Sequence, residues 1–196
     1  MRLPAPRRNR PVLFGAGLAA LIGLSACQMT AAPAMRPAVA LLDGAITVAA
    51  PRGYCVDPAA TREQGDTAVV LMGRCKFAPA VAPALLTMSI GPAASSGAMA
   101  AGGAALTEYF TSPAGRAALS RSGRAQDVTV IEARMADGAY LLRLGDRAVG
   151  DYWRAVVGLN GRLVTLSVNG AQGAPLNPEA GRALLDAALA ALRRAN

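Results

Sequence analysis

Residues 152–170, YWRAVVGLNGRLVTLSVNG, decide the fold of this chain. Two runs rich in Val and Leu, 152–158 and 162–168, flank Asn160-Gly161. This dipeptide favours the positive φ angles of a two-residue hairpin turn. Asn169-Gly170 then ends the second run. The stretch therefore predicts two antiparallel strands joined by a tight turn.

The strand pattern continues toward the N-terminus. Asp137-Gly138 is a second hairpin signal, between predicted strands at 127–135 and 139–144. Earlier strands are predicted at 45–49, 54–56, 67–72 and 84–90, the third of them a continuous apolar run typical of a buried strand. Residues 91–103, GPAASSGAMAAGG, are small and low in complexity, and this composition predicts a flexible loop.

Two helices interrupt and close this order of strands. A short helical turn is predicted at 106–110, and Ser112-Pro113 supplies an N-cap and a first-turn proline for a helix ending near Ser122. Asn177-Pro178-Glu179 begins the last helix in the same way. The apolar face of that helix repeats at i, i+3, i+4 and i+7, in Leu185, Ala188, Leu189 and Leu192.

The sequence therefore predicts one α+β domain over residues 44–196, an antiparallel β-sheet packed by a mid-chain helix and a C-terminal helix. Its early turn, Pro51-Arg52-Gly53-Tyr54, its mid-chain helix, its Trp153-bearing strand and its closing helix resemble the PsbP-like fold. That fold occurs in photosystem II extrinsic subunits and in several bacterial lipoproteins. The resemblance implies a sheet between helices, and it implies no activity.

The N-terminus has the pattern of an export signal. Four arginines and no acid stand in the first ten residues, and an apolar run at 12–24 follows them. The run is too short to cross a bilayer as a permanent helix. It ends in Leu24-Ser25-Ala26-Cys27, which resembles the lipobox of bacterial lipoproteins. The alternative is an ordinary secretory signal followed by a chance cysteine.

The lipobox implies cleavage between Ala26 and Cys27 and a diacylglycerol anchor on Cys27. Residues 1–26 are then the signal peptide, and 27–43 are the lipidated N-terminus and an Ala/Pro-rich tether. The expected location is the periplasmic side of the bacterial envelope. The outer membrane is favoured over the inner because Gln28, not Asp, follows the lipidated cysteine.

Charge gives little support for nucleic-acid binding. The chain carries 20 basic and 12 acidic residues, a net charge of +8, and four of the basic residues leave with the signal. The mature net charge is then +4. The basic residues are scattered rather than clustered, and nearly all are Arg, so no nucleic-acid partner is predicted.

Cys55 and Cys75 are the cysteines that remain after lipidation, and an even pair in an exported domain predicts a disulfide. A reactive thiol or half of a metal site are the alternatives. The chain contains no His, which removes the commonest zinc ligands, so neither a metal nor a cofactor is predicted.

The composition also limits the possible catalysis. Without His there is no Ser-His-Asp or Cys-His machinery, and the only Lys, Lys76, lies beside the predicted disulfide. Acid–base work by carboxylates stays open, with five candidates that form no recognisable pair: Asp57, Asp127, Glu132, Asp146 and Asp151. Tyr152 and Trp153 are expected to be core residues, with an aromatic ligand-binding floor as the alternative, and 145–151 is expected to be a solvated loop.

These observations favour a non-enzymatic accessory or binding lipoprotein of the cell envelope. Its expected contacts are the membrane, through the lipid on Cys27, and an envelope protein of unknown identity. The alternatives are a carboxylate-dependent cell-wall hydrolase and a purely structural envelope protein.

Overall fold

The computed structural model describes residues 34–78 and 80–196. The predicted signal peptide, the lipidation site Cys27 and residues 27–33 of the predicted tether lie outside this part of the chain. Among the described helices, none has both the length and the apolar character needed to span a bilayer.

The domain is α+β, as predicted, and its main element is a seven-stranded antiparallel sheet in the order β3-β4-β5-β9-β8-β7-β6. A separate two-stranded hairpin, β1-β2, precedes it. The strands are β1 (Ala38–Leu41), β2 (Ile46–Ala49), β3 (Tyr54–Gln64), β4 (Thr67–Arg74), β5 (Ala84–Ile90), β6 (Val128–Ala136), β7 (Ala139–Asp146), β8 (Gly150–Leu159) and β9 (Arg162–Gly170). The helices are α1 (Gly102–Thr111), α2 (Pro113–Leu119) and α3 (Pro178–Arg194).

Both predicted hairpin turns are confirmed. Asp137 and Gly138 have φ of 49° and 69°, and Asn160 and Gly161 have φ of 49° and 75°. Two consecutive positive φ angles give a turn whose twist matches that of the strands. Ala136 accordingly pairs with Ala139, and Leu159 pairs with Arg162.

The helix starts are also confirmed. The Ser112 side chain accepts a hydrogen bond from the Gly115 amide at 3.1 Å, and the Asn177 side chain accepts one from the Ala180 amide at 2.7 Å. Each cap satisfies an amide that has no partner within its own helix. Helix α2 ends at Leu119, a turn before the predicted end.

Apolar side chains pack on both faces of the sheet. On the first face, α3 and the β1-β2 hairpin cover one core, to which α3 contributes Leu185, Ala188, Leu189 and Leu192, as predicted. On the second face, α1 and α2 cover a smaller core over β6, β7 and β8, with Tyr140 and Leu142 fully buried in it. Among the described elements, no α-helix lies over β3, β4, β5 and most of β9 on the second face.

Three predicted boundaries were wrong. Strand β1 lies in the segment predicted as tether, and its Leu41 is buried against β2, so the folded part begins before residue 44. Strand β3 continues through Pro58, because a bulge between Asp57 and Arg62 takes the proline out of the ladder. Within the predicted loop 91–103, Ser95–Ala101 forms a 3-10 helix that leads into α1.

The two outer strands of the seven-stranded sheet are both irregular. β3 has the bulge just described, and β6 shifts register between Val130 and Glu132. Each edge therefore breaks the regular row of backbone donors and acceptors that a straight outer strand presents.

The disulfide between Cys55 and Cys75 is present, with the two Cα atoms 5.1 Å apart. Cys55 pairs with Gly73 across the β3-β4 ladder, and the Cys75 amide donates to the Gly53 carbonyl at 3.0 Å. The bond thus closes the end of β4 against the start of β3.

Candidate functional site

The uncovered half of the second sheet face contains a polar groove of about 370 Å³. It lies where α2 ends, between the edge of the smaller core and strands β5, β8 and β9. Its floor is a block of four hydroxyl side chains on two paired strands, which we call the hydroxyl floor: Thr87, Ser89, Thr165 and Ser167.

Strand alternation explains why hydroxyl groups lie there. Along β9, Val164, Leu166 and Val168 are buried in the larger core, so the residues between them face the other side. Thr87 pairs with Ser167 and Ser89 pairs with Thr165, so polar positions of β5 meet polar positions of β9. The two strands are therefore apolar toward α3 and polar toward the groove.

Arg154 on β8 lies beside this floor. Its Nε donates to Ser167 Oγ at 2.9 Å, and its guanidinium carbon is 5.5 Å from the centre of the Tyr152 ring. In the described part of the chain no carboxylate forms an ion pair with it. The guanidinium is held by one hydrogen bond and an aromatic face, and its terminal nitrogens remain as donors toward the groove.

Tyr152 forms part of the wall and is 5% exposed. Burial raises the pKa of its phenol, and the charge of Arg154 opposes this increase. No hydrogen bond to its hydroxyl is found among residues 34–78 and 80–196, although the corresponding hydroxyls of Tyr54 and Tyr140 each have a partner. Tyr152 therefore presents a neutral, unpaired hydroxyl in the groove. Tyr152 belongs to the smaller core, as predicted, and also lines the groove, whereas Trp153 belongs to the core of the opposite face.

Asp146 is the carboxylate that lines the groove. The prediction of a solvated loop at 145–151 was wrong here, because Asp146 ends β7 and is only 5% exposed. Its Oδ1 accepts a hydrogen bond from the Ala148 amide at 2.7 Å and so stabilises the turn between β7 and β8.

The groove widens into a second hollow of about 630 Å³, and Arg121, Val149 and Asn169 line both parts. The wide part is bordered by the chain that leaves β9, with Gln172 and Leu176. Arg121 follows α2 and is exposed at the rim. The whole site therefore has two arginines, Arg121 and Arg154, along one continuous channel.

The other predicted acids do not join Asp146 in this groove as a catalytic pair. Asp57 caps the bulge of β3, accepting from the Ala59 amide at 2.9 Å, and Glu132 pairs with Arg134 at 2.8 Å. Asp151 borders the wide part, but its carboxylate pairs with Arg143 at 3.1 Å.

Asp146 and Asp151 project from opposite faces of the sheet. Asp146 is two residues from Leu144 on β7, so it lies on the same face as the smaller core. Asp151 is two residues from Trp153 on β8, so it lies on the face of the larger core. Gly145 precedes Asp146 on the strand, so a side chain at Gly145 would point to the face opposite Asp146. A Cβ built there would lie 3.3 Å from Asp151 Oδ1, which confirms that Asp151 is on that opposite face.

Asp127 is buried at the edge of a neighbouring hollow that Asp146 also lines. Its carboxylate accepts from Ser122 and from Arg124, at 2.9 Å from Arg124 Nε, and lies 3.7 Å from Arg147. The hydrogen bond from Ser122, together with those from Arg124, holds the pKa of Asp127 below its usual range. This carboxylate is therefore ionised and already neutralised, which is the arrangement of a structural ion pair rather than of a proton acceptor.

Within the described ranges, no cluster of three or more His, Cys, Asp or Glu side chains could hold a metal ion. Sequence analysis missed Arg154, Arg121 and the hydroxyl floor. The available signal was the alternation in 164–169, VTLSVN, where every second residue is polar in an otherwise apolar strand.

No protein-family model matches this chain, and no curated protein or solved structure is significantly similar to it. The resemblance to the PsbP-like fold therefore stays a prediction that depends on the order of the elements.

Proposed function

We propose that the protein is a membrane-anchored periplasmic lipoprotein whose domain is a non-enzymatic binding module, and that its ligand binds in the polar groove through an anionic group. The observation that carries this proposal is Arg154, a partly buried arginine that contacts a hydroxyl and an aromatic ring and forms no ion pair within the described chain, although Asp146 lines the same groove.

The ligand chemistry follows from the donors. Arg154 and Arg121 supply positive charge, and the Tyr152 hydroxyl and the hydroxyl floor supply neutral donors and acceptors. A carboxylate or phosphate attached to a polyhydroxylated group would match both sets, because guanidinium forks bind planar or tetrahedral oxyanions and hydroxyls pair with hydroxyls. Such groups are abundant in a bacterial cell envelope.

The hydrolase alternative has less support. A glycoside hydrolase needs two carboxyl groups in one site, about 5–10 Å apart, that flank the scissile bond. Asp146 and Asp151 project from opposite faces of the sheet, and Asp127 is neutralised by arginine. Turnover of peptidoglycan fragments by the purified chain would contradict the binding proposal.

The test of the groove is calorimetry of the full chain with glycerol phosphate and with soluble peptidoglycan fragments, which carry carboxylates. Arg154→Met should weaken binding at least tenfold, because hydrogen bonds to a charged group contribute about 1.5–3 kcal/mol. Arg134→Met is the matched control, since Arg134 lies on β6 and pairs with Glu132. Equal binding by the two variants would contradict the proposed site.

The anchor is tested separately. Mass spectrometry of the mature N-terminus should find an acylated Cys27, and Cys27→Ala should leave the chain unlipidated. Density-gradient fractionation should recover the protein with outer-membrane markers, as Gln28 suggests. A free N-terminus beyond residue 27 would contradict the anchor, and recovery with inner-membrane markers would contradict only the sorting.

A further inference from the structure

The corner formed by the start of β3 and the end of β4 exposes an aromatic side chain. Phe77, in the loop after Cys75, is 89% exposed, more than any other large hydrophobic residue of the described chain. Met35 near the same corner is 38% exposed. A single exposed apolar side chain is common in proteins, so Phe77 alone indicates no partner.

Four cationic residues lie on the chain segments that meet at this corner. Arg36, Arg52, Arg74 and Lys76 are all exposed, and we call these four residues with Phe77 the basic corner. The backbone holds them together, because the Arg36 amide donates to the Val56 carbonyl at 3.0 Å and the Cys75 amide donates to the Gly53 carbonyl at 3.0 Å. Tyr54 also pairs with Arg74 across the ladder, and the Lys76 ammonium lies 5.7 Å from the centre of the Phe77 ring.

No acid neutralises these cations. None of the four forms an ion pair in the described part of the chain. Residues 44–56 and 67–107 contain Arg52, Arg74 and Lys76 but no Asp or Glu. The corner therefore has uncompensated positive charge beside an exposed aromatic ring, and this combination is suited to a surface of anionic lipid headgroups.

The chain length points to the same surface. The described structure begins at Ala34, next to the backbone pairing of Arg36 with β3, so the chain enters the domain at this corner. Seven residue steps separate Cys27 from Ala34, and a fully extended chain spans about 25 Å over that number. A lipid on Cys27 would keep Ala34, where the chain enters this corner, within about 25 Å of the membrane. The tether predicted to run from residue 27 to residue 43 would allow a greater separation.

We infer that the basic corner docks on the anionic lipid surface to which the protein is anchored, with Phe77 at the depth of the headgroups. The inference rests on the anchored state in the proposed function and does not depend on the groove. Docking would give the domain one orientation on the membrane instead of free rotation about its tether.

The test uses the full, lipidated chain in vesicles of brominated phosphatidylcholine containing 30% phosphatidylglycerol. Phe77→Trp places a fluorophore at the corner, and Tyr109→Trp is the matched control, an exposed aromatic position on α1. The native Trp153 is buried in the core and adds the same background to both. The indole introduced by Phe77→Trp should shift its emission to the blue and lose at least half its intensity on the vesicles. The indole introduced by Tyr109→Trp should show neither change.

Charge is tested in the same system. Adding Arg74→Gln or Lys76→Gln to the Phe77→Trp chain should lower the population in contact with lipid about fivefold for each cation removed. Vesicles of brominated phosphatidylcholine alone should give a larger loss, because they remove the attraction of all four cations at once. If the wild type floats with the vesicles but Phe77→Trp is quenched no more than Tyr109→Trp, the inference is wrong and the anchor stands. If no variant floats, both the anchor and the docking are wrong.

Discussion

The packing of α3 on the sheet can be tested by shortening Leu185 to Ala. Leu185 is fully buried in the larger core, on the face of α3 that contacts β8 and β9. The change removes three buried carbon atoms, which costs about 2.4 kcal/mol at roughly 0.8 kcal/mol for each. The unfilled cavity raises the expected loss of unfolding free energy to about 3–4 kcal/mol.

Leu184 on the same helix provides the matched control. It is only partly buried against the same core, so Leu184→Ala should cost about 1 kcal/mol. With a urea m-value of about 2 kcal/mol/M, the midpoint should fall by about 1.5–2 M for Leu185→Ala and about 0.5 M for the control.

The assay is urea unfolding followed by Trp153 fluorescence. Trp153 is the only Trp in the chain, and its Nε1 donates to the Pro178 carbonyl at 2.8 Å, so its emission reports on the contact between α3 and β8. Equal midpoints for Leu185→Ala and Leu184→Ala would refute the assignment of the buried face of α3.

Two further predictions concern the disulfide and the buried tyrosines. The double change Cys55→Ser, Cys75→Ser should lower the unfolding free energy by roughly 3 kcal/mol, as expected for a loop of this size. The unreduced wild type should show no free thiol after denaturation. Two reactive thiols would contradict the bond. Burial raises the pKa of the Tyr54, Tyr140 and Tyr152 phenols in the folded state. As the pH rises, the unfolded chain therefore loses these protons at a lower pH than the folded chain does. The free energy of unfolding should be unaffected below about pH 10 and should fall above it. Urea midpoints at pH 8 and pH 11 measure this, with Tyr152→Phe expected to be less sensitive; an unchanged midpoint at pH 11 would be evidence against their burial.

Elements with local signals could be predicted from the sequence. The positive φ at Asn160-Gly161 and the side-chain cap at Asn177 depend on residues within a few positions of each other. Strand β1 could not be predicted in this way, because its Ala-rich sequence has little strand propensity and it is stabilised by pairing with β2 and burial of Leu41.

The candidate site also combines residues that the sequence pointed to with residues that only the structure reveals. The sequence identified Asp146 and Tyr152 as residues of interest, but it did not indicate that both would line one groove. Arg154 becomes notable only because Ser167 of the neighbouring strand contacts it and no acid does, and this depends on the register of β8 against β9. Helix α2 is also shorter than predicted, and Ala118 and Arg121 near its end line the groove.

The irregular outer strands have a consequence if the chain is anchored to a membrane as proposed. Molecules anchored in one plane meet their neighbours far more often than molecules in solution, and a straight strand edge on each would let sheets join side by side. The bulge near Asp57 bends one edge, and the register shift at Val130 interrupts the other. On the proposed anchor, copies of this domain could therefore reach a high density on a membrane while their sheets remain separate, and the proposed groove of each copy would stay open.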